Sequence, residues 1–413
     1  MFATVLEEIQ SSPPNRAIYL RALLATMAVC VALSAIGFAR LGPWHRDLVD
    51  FNVFHIVAQR VWLGDADLAY QFEKLLEMQR AASGSDSFMP WTYPPQFDLL
   101  LAPFGLISTG FAYFLFMAAT LALYLIVLRS ISGSHLVLAL IVLLPAMVVT
   151  IACGQNGFLT GGLIGLVCLF IEERPIAAGL ALGLMVIKPH LAITFAAYAI
   201  LTRRWRVVVA AGAVVLLSSL LCTLVFGPRI WPALMQSVHD SATFLERGYY
   251  PLFRMISFYA GLRTLGVSAS TAFLGQAVIA ACCLGIIAVA WFRQFPARWC
   301  LGLTAMLAVS VSPYAYDYDL PIFGIGLALL LPELKRAAGE GERSFIYVAP
   351  MIMGAYGNLA SASLGPSHKA TQGTDMLSIG GFVLVALLAL NLVIALRRLR
   401  IEVEGVAISP EAA

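Results

Sequence analysis

The chain has 413 residues, of which 60% are hydrophobic and only 12% charged, against about 25% charged in soluble domains. With a mean hydropathy of +0.86, this composition excludes an ordinary soluble domain and predicts an all-α polytopic integral membrane protein. A formal net charge of +3, with no basic block interleaved with aromatics, gives no footing for nucleic-acid binding. The seven cysteines sit in or beside apolar runs without CxxC or His spacing, which supports neither a disulfide framework nor a zinc site.

Apolar runs predict about twelve transmembrane segments, near 17–38, 105–128, 135–152, 157–171, 175–188, 190–202, 206–226, 268–292, 299–312, 319–334, 343–362 and 377–396. No small-residue cleavage site follows the first, so it is expected to be retained. Several runs are short for a full crossing; such segments tilt, break or re-enter where protein or a watery cavity surrounds them. Two long loops, 39–97 and 227–267, interrupt what reads as one transmembrane domain over 1–413. Basic residues at the short connections, among them Arg21, Arg129, Arg204, Arg298 and Lys335, fall on one side if the spans alternate. That side is expected to be cytoplasmic, with both termini inside and both long loops on the periplasmic face of a bacterial inner membrane. The last two spans are expected only to complete the lipid-facing wall.

Polar residues between apolar runs are costly and must be solvated or used. Asp47 and Asp50, just beyond the first span, are candidates for acid or base chemistry, although Asp50 is equally well placed to cap a helix. Trp91 to Phe97, WTYPPQF, reads as a rigid re-entry into the membrane that offers Tyr93, or as an interfacial aromatic belt. Gln155 and Asn156, between Gly154 and Gly157, present two amides that can grip sugar hydroxyls or simply form a turn.

Lys188 is the most informative single residue, because a charge at the centre of an apolar helix costs roughly 2.5–3.5 kcal/mol. Pro189 breaks the helix there and His190 follows, so a cation and an imidazole are offered together, as suits an anionic phosphate. Snorkelling to the interface is the alternative. The stretch 246–266 is amphipathic and expected to lie along the membrane surface, with Arg263 docking at the interface and Arg254 able to clamp a lipid phosphate. Asp317 and Asp319, in SPYAYDYDLP, have the D-x-D spacing of soluble nucleotide-sugar enzymes but no strand or Gly-rich loop beside them; capping of a helix from about Leu320 is the leading expectation.

The succession D-F-x-x-F, W-x-Y-P-P, G-Q-N, K-P, R-R-W-R and S-P-Y-x-x-D-Y-D, over roughly residues 45–335, resembles glycosyltransferase family 87. The resemblance implies a GT-C fold, a polyprenyl-phosphate-linked sugar as donor, most simply mannose, and inverting transfer to a lipid or glycan acceptor at the periplasmic face. It makes Asp50 the general base, with Asp47 as alternate, and gives Lys188, His190 and Arg254 to the donor phosphate. Tyr93, Gln155, Asn156, Asp317 and Asp319 are then candidates for sugar or acceptor contacts. Neither cofactor nor metal is required by that chemistry. The chain departs from the family pattern at His190, where glutamine is expected, and at Phe253 and Arg254, where small or amide residues are commoner. A lipid or solute transporter is the rival reading, but no inverted repeat supports it.

Overall fold

The computed structural model describes residues 2–40, 48–84, 88–363 and 376–407. Among these there are eighteen α-helices and no strand; a lone antiparallel bridge joins Met255 to Tyr316. The first half contains α1 (Phe2–Ser11), α2 (Pro13–Arg40), α3 (Asp50–Leu63), α4 (Phe72–Ser83), α5 (Pro95–Leu101), α6 (Thr109–Ser132), α7 (Leu136–Cys153), α8 (Gly157–Phe170) and α9 (Pro175–Leu184). The second contains α10 (Ile193–Leu201), α11 (Trp205–Phe226), α12 (Ile230–Glu246), α13 (Phe258–Thr264), α14 (Ala269–Phe292), α15 (Ala297–Val311), α16 (Leu320–Ala337), α17 (Glu340–Ser363) and α18 (Gly380–Ala407).

Each of the twelve apolar runs folds as a helix, yet among the described residues five stretches are long and apolar enough to cross a membrane: Pro13–Ala39, Thr109–Cys153, Trp205–Phe226, Ala269–Phe292 and Gly380–Arg398. Three shorter apolar stretches, Gly157–Phe170, Pro175–Ile187 and Ala297–Val311, lie among them. The centre is α16, whose residues from Leu320 to Leu331 are all buried, as a helix apolar on every side must be. It packs against α7, α8 and α15, while α2, α11 and α14 keep most of their apolar surface outward.

The long loops are folded rather than extended. The first builds α3, α4 and α5 around a 3₁₀ turn at Ala66–Tyr70; the second builds α12 and α13 around a turn at Leu252–Arg254. The structure corrects three expectations here. Stretch 246–266 does not lie along a surface: Leu252, Met255, Ile256, Tyr259 and Ala260 are buried, and Arg263 caps carbonyls of Val267 and Glu246. Leu252, Met255, Tyr259 and Ala260 form a small separate core with Leu245 of α12 and Ala272 of α14, while Ile256 joins the main core. Trp91 is not in an interfacial belt but is buried against Phe54, with Phe97 stacked on it. The final helices do more than complete a wall. A Cβ on Gly357 of α17 would stand 2.4 Å from an Asp317 carboxylate oxygen, and the Ser378 hydroxyl donates to the Met255 carbonyl at 2.8 Å.

Candidate active site

The helix turns at one end of the bundle bring together residues far apart in sequence. Asp50 is the first residue of α3, but it does not cap it. The cap position is Val49, whose N–H is taken by the Asn52 side chain at 3.1 Å, so the Asp50 carboxylate is free for another partner. It accepts a 2.7 Å hydrogen bond from Gln155 Nε2. Gln155 Oε1 in turn accepts from the Tyr93 hydroxyl and from the Asn156 N–H, both at 3.1 Å. Asn156 is fully buried, and its side-chain amide has no hydrogen-bond partner among the described residues.

The turn that delivers Gln155 depends on two glycines. Gly154 ends α7 in the left-handed region at φ 67°, in a Schellman close with the Gln155 N–H returning to the Thr150 carbonyl at 3.1 Å.

 The same left-handed close, at φ 74°, ends α3 at Gly64. A Cβ at Gly154 would also meet the Phe51 Cβ at 2.5 Å. At Gly157 a Cβ would stand 1.9 Å from the Tyr318 carbonyl oxygen, which is how the amide turn seats directly on the YDYD segment. Gly157→Ala is therefore expected to push these segments apart, at a cost of about 1–3 kcal/mol. Thermal unfolding in detergent checks this, and a variant as stable as the wild type would contradict the close seating.

Two cations face the same region, and each has its own carboxylate. Lys188 lies between two 3₁₀ turns, Met185–Ile187 and Pro189–Leu191, with Pro189 keeping it out of helical conformation. Its Nζ is 2.8 Å from Asp319 Oδ1, and the two side chains are 7% and 1% exposed, so Lys188 does not snorkel to an interface. The ammonium also lies 5.0 Å from the Tyr318 ring and 5.8 Å from the Tyr93 ring, positions in which the ring faces favour a cation. Arg254 grips Asp317 with two parallel bonds, Nη2 to Oδ1 at 2.8 Å and Nε to Oδ2 at 3.1 Å. Its guanidinium stands 5.8 Å from the same Tyr318 ring, and its Nη2 lies 3.4 Å from Cys153 Sγ.

Asp319 occupies the cap position of α16 without bonding a helix N–H; its second oxygen accepts from the Tyr316 N–H at 3.1 Å. The capping expectation for the D-x-D pair thus gives way to a pairing with two cations. His190 is half-buried in the turn after Lys188. Asp47 lies outside the described residues.

Three carboxylates therefore meet two cations, and among the described residues Asp50 is the one without a cation bonded to it. It is half-buried. Burial pushes its carboxyl above the ordinary range, against the opposing pull of Arg254, the Gln155 hydrogen bond and Lys188. A carboxylate held this way is a stronger base than an exposed one. Sequence reasoning passed over Tyr318, whose ring lies 5.0 and 5.8 Å from the two cations, and Asp98, which is fully buried against Tyr70 and Trp91. The first was in view as part of YAYDYD; the second carried only the weak signal of an acid beside an apolar run.

Residues 91–313 match the sequence profile of glycosyltransferase family 87. The chain belongs to that family. Comparison with curated proteins and with solved structures finds no match. The matched segment of this family 87 glycosyltransferase contains Tyr93, Gln155, Asn156, Lys188, His190 and Arg254, while Asp50, Asp317 and Asp319 lie beyond its ends. Family membership makes the protein a membrane glycosyltransferase, which meets a sugar donor and an acceptor in the membrane, and sets the transporter reading aside.

Proposed function

We propose that this glycosyltransferase moves a hexose, most simply mannose, from a polyprenyl-phosphate-linked donor to a lipid or glycan hydroxyl. The observation that carries the reading is the placement of Asp50, through Gln155 and Tyr93, next to the buried Lys188, which shares the Tyr318 ring with the half-buried Arg254. In the reaction the acceptor oxygen attacks the anomeric carbon as its proton passes to the Asp50 carboxylate. The bond from that carbon to the phosphate oxygen breaks, its electron pair stays on the phosphate, and the anomeric configuration inverts. A phosphodiester with one negative charge becomes a monoester with a second charge developing. Lys188 and Arg254 stabilise that charge, with the half-buried His190 as a further contact. The amides of Gln155 and Asn156, the Tyr93 hydroxyl and the carboxylates of Asp317 and Asp319 are the sugar and acceptor contacts in this reading. In this reading the positive charges that meet the phosphate are those of Lys188 and Arg254.

A polyprenyl donor also suits the surroundings. Each tail methylene buried contributes about 0.8 kcal/mol, whereas a nucleotide-sugar calls for a phosphate cradle such as a Gly-rich loop opening a helix. The face follows from charge. Helix α16 starts at the cluster and ends in Lys335 and Arg336, and α10 runs from the His190 turn to Arg203 and Arg204. Basic ends opposite the site support a cytoplasmic side there, a periplasmic site and cytoplasmic termini in a bacterial inner membrane. Detergent-purified protein given radiolabelled sugar on either donor tests the function. Transfer is expected from the polyprenyl phosphate alone, with or without a chelator; efficient transfer from a nucleotide-sugar would overturn the proposal.

A further inference from the structure

Beneath Tyr93 lies a second buried carboxyl group that the mechanism above does not use. Asp98, on the short helix α5, is 0% exposed, and Tyr70 and Trp91 beside it are 2% and 1% exposed. Trp91 Nε1 donates to Asp98 Oδ1 at 2.9 Å. The Tyr70 hydroxyl oxygen lies 2.8 Å from Asp98 Oδ2 and 2.9 Å from the Tyr93 carbonyl oxygen. That hydroxyl has a single proton. The Tyr93 carbonyl can only accept, so the proton must point there for the contact to be a hydrogen bond. The contact with Asp98 is then a bond only if Asp98 itself carries a proton and donates it to the Tyr70 oxygen.

With Asp98 ionised instead, Tyr70 and the Tyr93 carbonyl would face each other as two acceptors. The carboxylate would also be buried with neutral donors only and, among the described residues, with no Lys or Arg beside it, a state that burial strongly disfavours. Among the described residues, the titratable groups that face Asp98 are the Tyr70 phenol and the Cys222 thiol of α11, neither of them a cation. The neutral acid satisfies all three contacts at once. In agreement, burial pushes the Asp98 carboxyl well above the usual range, with the Tyr70 and Trp91 bonds only opposing it.

We propose that Asp98 is a positioning residue, held as the neutral carboxylic acid, which orders Tyr93 and through it the amide that holds Asp50. The path is short and continuous. Asp98 fixes Tyr70, Tyr70 fixes the Tyr93 main chain, the Tyr93 hydroxyl reaches Gln155 Oε1, and Gln155 Nε2 reaches Asp50. Trp91, the other partner of Asp98, is pinned from the far side by the Ser237 hydroxyl, which donates to its carbonyl at 2.5 Å. The positioning role rests on the assignment of Asp50 as base; the protonation state does not.

Asp98→Asn and Tyr70→Phe test the two parts separately. A neutral acid has the amide as its near-isostere, since the amide N–H can donate to Tyr70 while its oxygen accepts from Trp91. Asp98→Asn should therefore keep wild-type transfer. A group whose pKa is raised on folding stabilises fully below its unfolded pKa, and that stability is lost as pH rises toward the folded value. The Tm of Asp98→Asn relative to wild type should accordingly improve as pH rises from about 5 to about 8. A Tm deficit that grows with pH, read without any substrate, would overturn the neutral acid whatever the donor proves to be. Tyr70→Phe should lower kcat roughly tenfold, about the worth of one hydrogen bond, with a smaller change in the donor KM. Unchanged kcat in that variant would overturn the positioning role.

Discussion

Asp50→Asn is expected to abolish transfer while leaving the protein folded. The amide oxygen can still accept from Gln155 Nε2, and the cap of α3 is supplied by Asn52 and Val49 rather than by Asp50, so nothing structural is removed. What is lost is the ability to take the acceptor's proton, a contribution of about 10²–10⁴ in rate. Retention of more than roughly a tenth of the activity would move the base elsewhere. The wild-type pH profile carries the same information. Because burial raises the Asp50 carboxyl above its ordinary value, the base is ionised, and the enzyme active, only above that raised pKa. Activity should fall on acidification at a pH higher than that at which an exposed aspartate titrates. An acid limb at or below the ordinary carboxylate range would contradict the environment described for Asp50.

Loss of Lys188 should be the second large effect, but it must be separated from folding. Lys188 and Asp319 are a buried pair at 2.8 Å, and removing one partner of such a pair costs about 3–5 kcal/mol by stranding the other charge. Lys188→Ala alone would therefore damage stability and rate together. Lys188→Met combined with Asp319→Asn removes both charges, an exchange that is often neutral for stability. The amide at position 319 can still accept from the Tyr316 N–H, as the carboxylate does. This double variant is expected to unfold near the wild-type temperature yet transfer about 10²–10³ more slowly, the usual effect of deleting one group that stabilises developing charge. Wild-type turnover in the folded double variant would assign the leaving phosphate to Arg254 alone.

The helices were legible because long apolar runs can do little else in a membrane, and each of the twelve runs became one. The polar residues of the cluster were legible for the complementary reason: Asp50, Gln155, Lys188, Asp317 and Asp319 stand out against apolar sequence. Their pairing was not. Lys188 meets Asp319 across 131 positions and Arg254 meets Asp317 across 63, and such contacts depend on how α16 and the Leu252–Arg254 turn close on each other. Arg254 was read within an amphipathic stretch, and periodicity cannot tell a face turned to lipid from one turned to a small separate core. Gly357 and Gly157 matter through close approach to Asp317 and Tyr318, which leaves no trace in hydropathy. Asp98 was hidden by its neighbours, since an acid at the start of a short helix ordinarily means a solvated first turn.

In the proposed reaction the bond broken joins a sugar to a single lipid-borne phosphate, and phosphorus NMR of the purified enzyme at work with a polyprenyl-phosphate hexose follows that bond directly. The donor phosphodiester signal is expected to convert to a phosphomonoester, one for each glycoside formed, with inverted anomeric configuration and in the presence of a chelator. Transfer without release of the monoester, or a product that keeps the donor's anomeric configuration, would contradict it.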